Sequence, residues 1–224
     1  MLYYPQTHRK GFAMKKSILF DLDGTICDSG EGIINCAIYA LEHFGCHIPS
    51  REDLRVFVGP PLKDSFLRHG IPEDKTDEAI AIYRSRYLPI GKYENYPYPG
   101  IEQLLKQLKD DGHALYIATS KLESTAVDVL EHFGLAHYFT RICGASADEV
   151  RSTKSQVIEY LIQCSGHPEH MVMVGDTAYD VIGAKHHGIE TVGVSWGYGN
   201  IQEMQNAGAV AIAHTMEELY HLLT

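Results

Sequence analysis

The 224-residue sequence is short of several things. No apolar run approaches the ~20 residues a helix needs to cross a bilayer, so no membrane partner is expected. Basic charge is scarce: 19 Lys and Arg stand against 29 Asp and Glu, a net charge of -10. A nucleic-acid duplex is repelled by such a chain, and an anionic ligand needs a local positive patch or a metal. The five cysteines (Cys27, Cys36, Cys46, Cys143, Cys164) are odd in number and lack metal-site spacing. Reduced thiols in a cytoplasmic protein are the expectation. The 13 histidines form no metal-ligand or triad pattern, the pair His186-His187 included. There is no internal repeat, no low-complexity tract and no GxGxxG; Ser195-Trp196-Gly197-Tyr198-Gly199 reads as a loop at the rim of a crevice. Residues 1–14 carry Arg9 and Lys10 but no apolar stretch of signal-peptide type. They read as a loose extension, with Met14 as an alternative start.

What is present is an ordinary globular composition, 45% hydrophobic and 21% charged. The chain is organised around Phe20-Asp21-Leu22-Asp23-Gly24-Thr25, which follows the apolar run Ser17-Ile18-Leu19-Phe20. The run reads as a buried strand. Two carboxylates at a strand end lie where open α/β sheets bind ligands. They repel unless a cation sits between them or one holds a proton. One carboxylate to attack and one to move a proton, both near a cation, is what phosphoryl transfer requires. Asp-Gly-Thr alone reads as an acidic turn, since Asp-Gly is common turn chemistry; the whole hexapeptide after an apolar strand favours a site.

The pattern then turns helical. Ser29 can cap a helix with an apolar face of Ile33, Ile34, Ala37, Ile38, Leu41 and Phe44, closed by Gly45. Ser50 and Asp53 suggest a capping box before a short segment to Val58. Gly59-Pro60-Pro61 breaks the chain and starts a helix that ends near Gly70, and a further helix is expected from Glu73 to Leu88. Residues 29–95 therefore read as a helical insertion, with an exit linker from Tyr93 to Gly100. Strands are expected at Ala114 to Ala118, Tyr138 to Cys143, Met171 to Val174, Thr191 to Val194 and Ala209 to Ala213, alternating with helices. That is a doubly wound, Rossmann-like parallel sheet covered on both faces.

Each strand ends in polar residues. Thr119-Ser120-Lys121 follows the second, and a hydroxyl there can bond a phosphate oxygen or simply cap a helix. Lys154 opens a helix, where a cation is poorly placed for the dipole unless anions are near; a solvated lysine is the alternative. Asp176 ends a strand and Asp180 lies one helical turn on, so both can face one crevice as hard oxygen ligands for Mg²⁺ or stand as helix-start acids.

In this combination the sequence resembles the haloacid dehalogenase-like hydrolases, in particular their phosphoglycolate-phosphatase-like branch. The segments carrying the resemblance are Asp21-Leu22-Asp23-Gly24-Thr25, Ala118-Thr119-Ser120, Lys154, and Gly175-Asp176 through Asp180, supported by Val58-Gly59-Pro60-Pro61-Leu62 and Trp196-Gly197-Tyr198-Gly199. It implies a core of residues 15–28 and 96–224 with a helical cap of residues 29–95 inserted after the first strand. It further implies Asp21 as nucleophile, Asp23 as general acid and base, and Thr119, Ser120 and Lys154 on the phosphoryl oxygens. Mg²⁺ would be held by Asp21, the Asp23 main-chain carbonyl and Asp176, with Asp180 in support. The implied activity is a Mg²⁺-dependent phosphatase of a small phosphorylated metabolite. Phosphoglycolate, a nucleoside monophosphate, pyrophosphate, a phosphosugar and phosphotyrosine remain open. A phosphosugar mutase is the alternative on the same scaffold, and a non-catalytic binding module the alternative of another class. Lys63, after the Gly-Pro-Pro turn, is a candidate substrate contact; a surface lysine is the plainer reading.

Overall fold

The computed structural model describes residues 15–148 and 150–224. The extension at residues 1–14 lies outside that range. In chain order the elements are β1 Ser17–Phe20, β2 Cys27–Asp28, α1 Gly30–His43, α2 Leu62–Arg68, α3 Thr76–Tyr87, β3 Tyr96–Pro97, α4 Ile101–Asp110, β4 Ala114–Leu122, α5 Glu123–His132, β5 Arg141–Ala145, α6 Lys154–Cys164, β6 Met171–Gly175, α7 Ala178–Lys185, β7 Glu190–Val194, α8 Ile201–Ala207, β8 Ala211–Ala213 and α9 Met216–Leu223. Six strands form a parallel sheet in the order β5-β4-β1-β6-β7-β8.

The strands sort their side chains by parity, as a pleat requires. Ile18, Phe20, Leu115, Ile117 and Val174 join one core with Leu104, Leu108, Val129 and Leu219, so α4, α5 and α9 cover that face. Leu19, Tyr116, Ala118 and Met173 point the other way, against Val157, Ile158 and Leu161 of α6 and Ala184 of α7. β1 sits between β4 and β6. The chain passes to one side of β1 and then to the other, and at such a switch the carboxyl ends of the strands open a crevice.

β2 and β3 pair antiparallel, Cys27 with Pro97 and Asp28 with Tyr96. The chain therefore leaves the core and returns along one narrow ribbon. Between them α1, α2 and α3 build a separate core of Ile33, Leu41, Leu54, Phe57, Phe66, Ile71 and Tyr83.

Several boundaries differ from the sequence reading. The strand expected to end at Ala118 runs to Leu122, and the one expected from Tyr138 begins at Arg141 after a turn of 3₁₀ helix at Ala136–Tyr138. The helix expected from Glu73 starts as 3₁₀ and becomes α at Thr76; the last strand shortens to Ala211–Ala213. α8 and α9 had no counterpart in the sequence reading. Ser29 does not cap α1 through its side chain. Instead the Gly30 N–H donates to Asp28 Oδ1 at 3.3 Å and to the Tyr198 hydroxyl at 2.8 Å, so a residue 168 positions away does the capping.

Candidate active site

Asp21 follows the last residue of β1, and its N–H donates to Val174 O on β6 at 2.9 Å, which keeps it in the sheet. The chain then turns sharply. Gly24 has φ +82°, and the Thr25 and Ile26 N–H groups both donate to Leu22 O. The turn needs glycine twice over, for its left-handed backbone and because a Cβ there would lie 2.2 Å from Asp176 Oδ2. Thr25 Oγ1 donates to Asp176 Oδ1 at 3.4 Å. The first acidic motif and the motif that follows β6 are thus one packed unit.

Asp21, Asp176 and Asp180 are buried and offer oxygens within 4.8 Å of one another. Lys154, the first residue of α6, sends its Nζ into this group, 2.7 Å from Asp21 Oδ1, 2.8 Å from Asp180 Oδ1 and donating to Ala118 O at 2.9 Å. Its helix is capped by Thr153 with Gln156, so the side chain is free to run back along the sheet. Gly183 of α7 lets it pass, since a Cβ there would lie 2.7 Å from the lysine stem. Asp180 Oδ2 caps α7 by accepting from Thr177 N and Oγ1.

The charges do not balance: three buried carboxylates face one ammonium. Burial, partly offset by Lys154 and reinforced by Asp180, pushes the Asp21 carboxyl up to about 6. Burial, then Asp180 and Asp21, push Asp176 up to about 8. Burial works against the Lys154 cation, but Asp180 and Asp21 raise its proton affinity overall. Asp21 Oδ1 and Asp180 Oδ1 share the one Lys154 ammonium, at 2.7 and 2.8 Å. Buried carboxylate oxygens short of donors, crowded by like charge, fit a hard divalent cation.

Asp23 does not join this cluster through its side chain. Its two oxygens accept from Lys121 Nζ at 2.8 and 2.7 Å. Lys121 reaches it because β4 bulges. Ala118 pairs with Cys143 and Leu122 with Ala145, leaving Thr119, Ser120 and Lys121 opposite Gly144 alone. Gly144 accommodates this, since a Cβ would lie 2.5 Å from Lys121 O. Bulges beside a site re-aim side chains in this way. Thr119 is buried and its Oγ1 accepts from Lys121 N at 3.2 Å; Ser120 is exposed.

The rim loop is more than a border. The Tyr198 N–H donates to Asp176 Oδ2 at 2.8 Å, Trp196 Nε1 donates to Thr25 O at 3.2 Å, and the Tyr198 hydroxyl bonds Asp28. A Cβ on Gly197 would lie 2.3 Å from Asp176 Oδ2. Gly197→Ala is expected to shift Asp176 and lower kcat/KM by about 10²-fold, the scale of a 1 Å misplacement. A kinetic comparison with wild type at equal folded fraction checks this; unchanged activity would show that the loop does not set Asp176.

Sequence reasoning thus named Asp21, Asp23, Thr119, Lys154, Asp176 and Asp180, and the structure brings all six to one end of the sheet. It gave no role to Lys121 or to Tyr198, whose only sequence signals were a lysine two residues past Thr119 and the WGYG segment. Lys63, the candidate substrate contact, is half exposed and 3.7 Å from Glu73. The described contacts do not tie Lys63 to the acids. The site is closed: the Asp21 and Lys121 side chains are only 12% and 6% exposed. Beyond Tyr198 lies a separate cavity of about 420 Å³, between Arg51, Arg55, Tyr98 and Trp196. No helix of the described residues is long and apolar enough to cross a membrane.

Comparison with known proteins places this geometry. The family profile described as haloacid dehalogenase-like hydrolase matches residues 18–194. The tyrosine-protein kinase PtkA of Mycobacterium tuberculosis is 40% identical over 209 residues, covering 92% of this chain and 72% of its own. Its solved structure superimposes with a TM-score of 0.83 over 94% of this chain and 99% of that one. A 5'-nucleotidase of Pseudomonas aeruginosa is 38% identical over 191 residues, 84% of this chain and 86% of its own. The solved structure of a predicted phosphatase from Clostridium acetobutylicum is 41% identical, with a TM-score of 0.89 over 94% of this chain and 99% of that one.

Proposed function

This chain belongs to the haloacid dehalogenase-like hydrolases, and on that premise we propose that it is a cytoplasmic, Mg²⁺-dependent phosphatase of small phosphomonoesters, acting through an aspartyl-phosphate on Asp21. The observation that carries the reading is the buried Asp21–Asp176–Asp180 cluster pinned by Lys154, with Asp23 turned aside as a separate carboxylate. In the first step a carboxylate oxygen of Asp21 attacks phosphorus and the ester P–O bond breaks. The leaving oxygen takes the proton of Asp23. A water then attacks phosphorus, gives its proton to Asp23, and frees Asp21 and inorganic phosphate. Lys154 and the Thr119 hydroxyl would hold the phosphoryl oxygens, where charge develops. Mg²⁺, held by Asp21, Asp176 and the Asp23 carbonyl with Asp180 behind them, would offset the repulsion between the nucleophile and an anionic substrate.

Residues 29–95 act as the cap in this reading. Gly59 lies close to Thr177, since a Cβ added to it would come 3.8 Å from the threonine Cγ2, so the insertion reaches the edge of the crevice. A closed chamber excludes water and limits what fits. Replacing residues 30–94 with a Gly-Ser linker is expected to leave a folded core with much reduced kcat/KM on small esters. Equal activity with and without the cap would remove it from substrate selection.

The test is a panel of purified-protein assays with Mg²⁺: phosphoglycolate, nucleoside monophosphates, pyrophosphate, phosphosugars and phosphotyrosine, with ATP plus a tyrosine peptide as the kinase arm that the PtkA likeness requires. Release of inorganic phosphate from a small ester is expected. Interconversion of phosphosugars without net release would instead mark a mutase, and transfer from ATP without hydrolysis of any ester would overturn the reading. Asp23→Asn should keep substrate binding and lose about 10²–10⁴-fold in kcat, the worth of one general acid–base group.

A further inference from the structure

We propose that the cavity beyond Tyr198 is a second binding site, apart from the catalytic acids, for a small aromatic phosphate: a planar ring that carries a phosphate group. The cavity holds about 420 Å³, inside the ~300–1,000 Å³ range of small-molecule pockets. Among the described residues that line it there is no member of the acidic cluster, and neither Lys121 nor Lys154. Its walls come from three parts of the chain. Asp28 and Tyr96 belong to the β2–β3 ribbon, Arg51 and Arg55 to the insertion, and Tyr98, Trp196 and Tyr198 to the core.

The rings call for a flat partner. Tyr98 and Trp196 pack edge to face, their centres 6.4 Å apart and their planes 61° apart. Trp196 is pinned by the bond from its Nε1 to Thr25 O, and Tyr198 by the bond from its hydroxyl to Asp28. These rings are held in place by the protein itself, which lowers the ordering cost of binding. Tyr96 differs from them. Its main chain is fixed in the ribbon, yet 59% of its surface is open to solvent. An open ring on a fixed backbone beside a cavity is a platform on which a planar ligand stacks.

Charge sets the rest of the class. Arg51 Nη1 donates to a neutral amide, Asn35 Oδ1, at 2.9 Å. Arg55 Nη1 stands 3.7 Å from Glu52 Oε2, beyond hydrogen-bond range. A guanidinium carries more N–H donors than these contacts use, so both arginines have donors to give. Carboxylates line the cavity as well, but two of them are spent. Asp28 Oδ1 already accepts from the Gly30 N–H and the Tyr198 hydroxyl, and the Glu52 side chain is 80% exposed. Glu31, the third, is an acceptor for an N–H or O–H of the ligand. Two guanidinium groups match the double charge of a phosphate monoester, and their planar forks match its oxygens. In a chain of net charge -10 they form a local positive patch. A cationic ligand fits less well, because Arg55 already lies over the Tyr198 ring at 5.1 Å and would have to give way.

Trp196 is the single tryptophan of the chain and lines the cavity, so its fluorescence reports on this site. AMP is titrated into the full-length protein in EDTA, with adenosine, inorganic phosphate and O-phosphotyrosine as separate arms. AMP is expected to change the emission saturably with a Kd of about 10 µM to 1 mM, the range for a ligand of this size. Adenosine and inorganic phosphate, which each offer half of the chemistry, should bind at least about tenfold more weakly. Phosphotyrosine offers the same ring and phosphate; whichever of the two binds tighter names the source of the ring, and either order upholds the site. Arg51→Ala and Tyr96→Ala should each weaken AMP by about tenfold, the worth of one charged hydrogen bond or one stacked ring. Asp21→Asn should leave the affinity within about threefold, as for independent sites. If one cavity variant fails to fold, the other carries the test. No saturable change below about 10 mM AMP would overturn the proposal. So would equal binding of AMP and adenosine, which leaves the arginines without a part. Binding that requires Mg²⁺, or that responds to Asp21→Asn and to neither cavity variant, would put the probe at the acids and overturn it too. The readout is binding alone, so a failure here is distinct from a failure of the hydrolytic reading.

Discussion

Asp21→Asn is expected to abolish turnover, by on the order of 10⁶-fold, the loss that follows removal of a covalent nucleophile. An amide oxygen cannot attack phosphorus and leave again as a carboxylate. The substitution is close to isosteric, and Asp21 N–H still bonds Val174 O, so the strand end is kept. It also removes one of three crowded negative charges, which leaves Lys154 with Asp180 as its remaining carboxylate partner. The melting temperature should therefore hold or rise slightly, while acid-quenched wild type and not the variant traps a phosphorylated protein. Substantial residual turnover, with contamination excluded, would place the nucleophile elsewhere.

Removing divalent metal is expected to abolish activity, and Mg²⁺ to restore it, because three buried acids then face an anionic substrate with Lys154 as the positive charge among them. The same crowding predicts a stability signature. Asp176 is raised to about 8 and Asp21 to about 6, against about 3.8 for each when unfolded. Between those limits the folded protein binds more protons than the unfolded one, so stability falls as pH rises. Metal-free protein should be more stable near pH 5 than near pH 8 on this account, and Mg²⁺, which favours the ionised acids, should flatten the dependence. Other groups titrate in the same window, so the quantity to measure is the difference in melting temperature between wild type and Asp176→Asn, at both pH values, with EDTA and with Mg²⁺. A difference independent of pH in EDTA would show that the cluster carries no such strain. Full activity in excess EDTA, with metal absence verified, would end the proposed chemistry.

Much of this site was legible because it is local. Asp21 and Asp23 sit in one hexapeptide, Asp176 and Asp180 in another, and each follows an apolar run that reads as a strand. A parallel sheet brings all its strand ends to one edge, so four motifs spread over 160 residues needed no further information to be brought together. Lys154 was readable for a related reason: a cation at a helix start is misplaced unless anions lie in front of it, and they do.

The remainder was not written in any local stretch. The bulge that turns Lys121 toward Asp23 depends on which residue of β5 stands opposite, namely Gly144. Tyr198 caps α1 and seats Asp176 from a loop that lies 168 residues from Gly30 and 22 from Asp176. Ser29 had the right chemistry for a cap and was passed over: the Gly32 N–H that such a cap serves donates to Glu94 O at 2.9 Å, and Asp28 and Tyr198 take the Gly30 N–H. Lys63, named from its place after the Gly-Pro-Pro turn, has a side chain that meets Glu73 at the surface.

By itself, then, the order of residues determined the sheet, the insertion and the acids, because alternation, helical period and turn chemistry act over a few residues and topology supplies the common edge. Only the tertiary structure decided the division of labour among the acids: Asp21, Asp176 and Asp180 gathered around Lys154, Asp23 drawn off by Lys121. Which carboxylate meets which cation is set by distances of a few ångströms between segments far apart in the chain, and Coulomb interactions at that range change more with packing than with sequence.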